Sequence, residues 1–167
     1  MPLENAWEIM DEIEQQIETL VNEAPDDGVT GQAVEAIAPV LTTMASRLKR
    51  TTYYVLKTLN QGWITTALTN RQQPNIRKTV IYAFPTLQDA ASGPQSVKDP
   101  QIMAIPTPVT HILFQMLALK TLDSIIFFDK SGNLSQGTEI RRQEFQAMVQ
   151  SQLKESQGFI DPYANIG

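Results

Sequence analysis

The chain has 167 residues, a net charge of −5 and no cysteine, a length that fits one domain around a single core. Missing thiols exclude disulfides and thiolate-bound metals, and a single histidine leaves zinc without its usual partners. No apolar run approaches the ~20 residues of a membrane helix, and the first residues lack a leader's basic and apolar regions, so a soluble cytoplasmic protein is expected.

Charge is unevenly spread. Residues 1–46 hold ten acidic side chains and no base, whereas residues 47–167 hold eight acids and all thirteen bases. Between Arg47 and Lys78 lie seven bases and no acid (Arg47, Lys49, Arg50, Lys57, Arg71, Arg77 and Lys78). Two readings follow: an acidic arm beside a mildly basic body, or an acidic cover over a basic binding face.

In chain order, Leu3, Trp7, Met10, Ile13, Ile17, Leu20 and Ala24 recur at steps of three and four, predicting a helix over 3–23. Pro25-Asp26-Asp27-Gly28 ends it as a turn. Val34, Ile37, Leu41, Met44 and Leu48 continue the period into a second helix reaching about Arg50, with Pro39 expected to kink it or delay its start. Arg47, Lys49 and Arg50 are expected in its last turn, where the helix dipole favours cations. Together the two helices make an acidic hairpin.

From Thr51 the composition turns β-branched and aromatic. Thr51–Leu59, Trp63–Thr69 and Arg77–Phe84 are expected as three strands of an antiparallel meander, turned at Asn60-Gln61-Gly62 and at 71–75. Alternation puts Tyr53 and Tyr54 on opposite faces, and Trp63 is expected beneath the N-terminal helices. Thr86-x-x-Asp89 predicts a short capped helix. Residues 92–101 read as a loop, Ile102–Ile105 as a short strand, and Thr107-Pro108 as the start of a helix to Leu119. Ser124–Phe128 is short and apolar enough for a buried central strand. Lys130-Ser131-Gly132-Asn133 turns away, Thr138 is expected to cap a last helix to about Glu155, and residues 158–167 show no period.

No catalytic, metal or cofactor constellation assembles from these residues. His111 has no charge partner in sequence, and no Gly-x-Ser-x-Gly elbow, Gly-x-Gly-x-x-Gly loop or Walker motif is present. Asp129-Lys130-Ser131-Gly132-Asn133 resembles the phosphorylated-aspartate loop of cation-pumping ATPases over five residues. That family's other parts have no counterpart here, so no activity is carried over. As a calcium loop it fails at Leu134, where glycine is required, and at Ile140, where a glutamate belongs. Asp123 and Asp129 bracket one strand, about 20 Å apart by strand rise, too far for paired-carboxylate hydrolysis.

Residues 51–150 resemble a known family. Tyr82-Ala83-Phe84-Pro85-Thr86, the Asp89-Ala90 helix, the helix with Ile112-Leu113, the strand Ile125-Ile126-Phe127-Phe128, the Ser131-Gly132-Asn133 turn and a closing helix follow the element order of the SseB-type domain. That resemblance implies a two-layer α/β domain acting as a regulatory or interaction module.

The expected fold is α+β: a two-layer, mostly antiparallel sheet of four to five strands with helices on one face, preceded by the N-terminal hairpin. Residues 1–50 form the hairpin, 51–157 the core and 158–167 an irregular tail. The expected function is a non-enzymatic interaction or regulatory domain without cofactor, pairing as a homodimer or with another protein through Trp7, Ile13, Ile17 and Leu20. One alternative is a small hydrolase or transferase. Another is a surface for acidic partners or, less in keeping with the acidic total, nucleic acid, built on Arg47, Lys49, Arg50, Arg77 and Lys78 and covered by the acidic N-terminus.

Overall fold

The computed structural model describes residues 2–25, 30–60, 62–69, 72–73, 75–92 and 101–164. Residues 26–28 of the turn expected at 25–28, residue 61, residues 71 and 74, and most of the loop at 92–101 therefore lie outside the described residues.

Helices α1 (Pro2–Glu23) and α2 (Thr30–Ser46) form the N-terminal pair. Their apolar faces (Ile13 and Ile17 on α1; Val34, Ile37, Leu41 and Met44 on α2) are buried in one cluster with the sheet. Trp7 does not join them. The two steps of three from Trp7 to Ile13 swing it about 120° off the buried stripe at 100° per residue, and it stands 80% exposed. Pro39 sits within α2 without ending it; its carbonyl accepts a hydrogen bond from the Thr43 hydroxyl (2.9 Å). The helix stops at Ser46, four residues early, with Arg47 and Leu48 N–H groups bonding three residues back to Met44 and Ala45. This tightened turn leaves Arg47, Lys49 and Arg50 beyond the helix.

Six strands follow among the described residues: β1 (Thr52–Thr58), β2 (Thr66–Thr69), β3 (Arg77–Ala83), β4 (Ile102–Pro108), β5 (Ser124–Lys130) and β6 (Asn133–Arg141). Between them lie α3 (Leu87–Ser92) and α4 (Val109–Ala118), and α5 (Arg142–Ala164) closes the fold. The order β2-β3-β5-β6 makes a four-stranded sheet and β1-β4 a two-stranded one. All pairings are antiparallel except β3 with β5.

The expected meander is therefore only half present. β2 pairs with β3, but β1 takes β4 as its partner over seven residues and touches the β2–β3 hairpin at single bridges, Tyr54 with Phe84 and Lys57 with Trp63. β4 is longer than expected because it follows β1 through Pro108; Pro106 and Pro108, which lack N–H groups, suit its outer edge.

The largest departure from expectation is β6. Residues 133–141 form a strand hydrogen-bonded to β5, and the last helix starts at Arg142, not at Thr138. Gly132, at φ +78°, turns the hairpin in the left-handed region that glycine tolerates. Gly137 lies so close to Phe128 and Ile126 that a Cβ would come within 3.0 Å of the Phe127 carbonyl oxygen. The helix continues to Ala164, so residues 158–164 are helical, not irregular.

Strand alternation gives the sheets two apolar faces. Tyr53, Val55, Ile81, Ala83, Ile125, Phe127 and Ile140 meet α1, α2, α4 and α5 in the main core. Leu56, Phe84 and Phe128 face the other way, with Tyr54, Tyr82 and Ile126 around them and Ala90 of α3 above. Tyr82 and Phe84 both flank Phe128, with ring centroids 5.6 and 5.4 Å away. Trp63 packs partly buried against the main core, and the Lys57 ammonium lies 4.4 Å from its ring centre. No described helix is long and apolar enough to cross a membrane.

Candidate functional site: a cationic groove at the sheet end

At the N-terminal ends of β3 and β5, a groove of about 480 Å³ opens between the sheet, the turn after α4 and the first turn of α5. Its walls carry five cations (Arg77, Lys78, Lys120, Arg141 and Arg142) and one acid, Asp123, with exposed Ile76 at the rim and the buried Leu122 beneath. Asp123 builds the frame. Its carboxylate accepts the Thr79 N–H (2.7 Å), its N–H donates to the Thr79 carbonyl, and its own carbonyl accepts the Arg142 N–H (both 2.8 Å). β3, β5 and α5 are thus tied at one residue.

The cations differ in availability. Arg142 donates to the Met116 and Leu117 carbonyls at the end of α4 (3.0 and 3.2 Å), which satisfies helix-terminal acceptors and holds the groove wall. Lys78 pairs with Glu139, and Arg141 reaches the same carboxylate at 4.0 Å. Burial raises the Glu139 pKa, but the hydrogen bond from Lys78, with the charges of Lys78 and Arg141, holds it below the usual value. Arg77 and Lys120 belong to none of the ion pairs among the described residues. With Glu139 counted, five cations meet two carboxylates, leaving a surplus of positive charge beside exposed Ile76.

The basic segment 47–80 is not one surface. Arg77 and Lys78 enter the groove, whereas Arg47 pairs with Glu144 of α5 (3.0 Å), Lys57 lies over Trp63, and Lys49 is exposed. Arg50 acts on Asp89, which follows the C-terminal end of β3; seven strand residues separate that end from Arg77 by about 20 Å. Arg71 lies outside the described residues. Lys120, Arg141 and Arg142 come to the groove from later elements, and no local spacing links them to Arg77.

The Asp129–Asn133 turn is structural in its contacts. Asp89 is buried and accepts hydrogen bonds from the Thr86 hydroxyl (2.7 Å) and the Gly132 N–H (2.8 Å), joining the start of α3 to the β5–β6 turn. Burial raises its pKa, yet the bonds from Thr86, Gly132 and Ser131 and the charge of Arg50 bring it below the ordinary value. Folding therefore favours the carboxylate. Its stabilisation is complete above the unfolded carboxyl pKa of about 4 and is lost as pH falls through the lower folded value. Asp89→Asn is expected to lower the thermal midpoint at neutral pH, and the gap from wild type should narrow below about pH 4; scanning calorimetry across pH checks this.

His111 is half-buried against the Gln16 carbonyl (3.4 Å), and burial lowers its pKa. Among the described residues, no three acids or histidines gather as a metal site. Comparison with known protein families, curated proteins and solved structures finds no match to this chain.

Proposed function

We propose that this chain is a non-enzymatic interaction domain that docks an acidic protein segment in the groove of Arg77, Lys78, Lys120, Arg141 and Arg142. The observation that carries this reading is the pair Arg77 and Lys120, outside any ion pair among the described residues, beside the exposed apolar Ile76. A carboxylate brought there gains two cations without displacing an existing partner, and an apolar side chain next to it finds surface to cover. Electrostatic attraction of this kind mainly speeds and directs association. The resemblance of residues 51–150 to the SseB-type interaction module supports the same reading, and the dispersal of the 47–80 bases argues against a continuous nucleic-acid track.

The test is fluorescence anisotropy with a labelled oligoglutamate peptide at low salt. Wild type is expected to bind it, and Arg77→Glu with Lys120→Glu should weaken binding by about tenfold or more. Undiminished affinity in the double variant would falsify the groove reading. Equal or tighter capture of a labelled single-stranded oligonucleotide through the same two residues would favour nucleic acid instead.

A further inference from the structure

The geometry points to a specific occupant of the groove: the N-terminal half of α1 from a second copy of this chain. This inference rests on the groove reading above and names its partner. α1 carries seven acids and no base, and the six from Glu8 to Glu23 belong to no ion pair among the described residues. Trp7 is 80% exposed and Met10 38% exposed, so two large apolar side chains stand uncovered on the helix. At 100° per residue, Trp7, Asp11, Glu14 and Glu18 fall on one stripe, its centre turned about 110° from that of the buried Ile13 and Ile17; Asp11, Glu14 and Glu18 are exposed. One face thus presents an aromatic anchor followed by a row of carboxylates.

The groove presents the counterpart. Ile76, 56% exposed, offers apolar surface, and the cations surround it. Trp7 over Ile76, with an arginine beside its ring, and Asp11 and Glu14 toward Arg77 and Lys120 would match like surface with like and opposite charge with opposite charge. The helix is not free to turn into its own groove, since Ile13 and Ile17 are anchored in the core and Gln16 is hydrogen-bonded to Thr51 and Thr110. A second copy meets no such obstacle. Each chain offers one helix and one groove, so reciprocal docking makes two equivalent contacts and closes a two-fold dimer.

Light-scattering mass and sedimentation equilibrium on the full chain test the inference, with circular dichroism confirming that every variant folds. Wild type should dimerise at low salt, and raising salt from about 0.05 M to about 0.5 M should weaken the dimer about tenfold. Trp7→Ala should weaken it by a similar factor, with an unchanged circular dichroism spectrum because that side chain is exposed on the single chain. Arg77→Glu with Lys120→Glu, and separately Asp11→Lys with Glu14→Lys, should each be monomeric. An equimolar mixture of the two should form heterodimers, because both contacts then pair opposite charges.

Several results overturn the inference: a monomeric wild type, a dimer indifferent to both reversals, or two folded variants that do not associate when mixed. If wild type is monomeric but still captures the oligoglutamate peptide through Arg77 and Lys120, self-docking fails and the groove reading stands. If it does neither, both fail.

Discussion

Phe127→Ala is expected to cost about 4 kcal/mol of folding stability. Phe127 is fully buried on β5, on the face that meets the helices. Its ring lies 4.9 Å from that of Tyr53, nearly edge-on at 69°, so the change removes an aromatic pair as well as apolar area. Tyr53 is buried with it, and desolvation pushes its hydroxyl up to about 12, which leaves the ring neutral throughout the physiological range. Neighbours cannot collapse into the void, since β3 and β6 flank β5 on both sides. For a chain of this size, about 4 kcal/mol corresponds to a fall of roughly 10 °C in thermal midpoint, which calorimetry would register. A fall of only one or two degrees would mean that the β5 face is not the centre of the core.

Gln16→Leu ranks second, at about 3 kcal/mol, by a different mechanism. Gln16 is 5% exposed, a polar side chain within the apolar face of α1. Its amide donates to the Thr51 carbonyl (2.8 Å), and its oxygen accepts both the N–H (3.1 Å) and the hydroxyl (2.9 Å) of Thr110. One side chain therefore caps the start of α4 and ties α1 to the chain entering β1. Pro108, at the capping position, supplies no side-chain bond, and the Thr107 hydroxyl bonds the Ile105 carbonyl instead. Leucine fills similar volume but leaves the Thr110 N–H and hydroxyl buried without that acceptor. Thr110→Val should cost about 1 kcal/mol, and the double variant less than the sum, because the two changes break one network. Additive costs in urea titrations would show that Gln16 and Thr110 act independently.

These two residues also mark where legibility ends. Phe127 could be placed from sequence: Ser124–Phe128 is short, apolar and bounded by Asp123 and Lys130, and only a strand buried on both faces suits it. The α1 and α2 stripes, the opposite facing of Tyr53 and Tyr54, and the short helix capped by Thr86 were equally open to inspection, because period and cap chemistry are local properties. Gln16 was not. It reads as one more polar position on an acidic helix, and its role depends on Thr51 and Thr110, which lie 35 and 94 residues away in sequence.

The strand at 133–141 escapes local sequence signals for a related reason. Thr138 followed by Ile140 and Phe145 fits a helix start, yet hydrogen bonding to β5 outweighs such weak local preference, as strand formation commonly does. Only the turn residues Lys130-Ser131-Gly132-Asn133 hold a hairpin signal for this strand. Local sequence decided composition, charge asymmetry, the helical pair and the central strand, since each follows from side chains within a few turns of one another. Pairing between distant strands decided the rest, including a groove whose cations come from β3, the turn after α4, β6 and α5. Such convergence is set by packing over the whole chain, and no spacing between neighbouring residues encodes it.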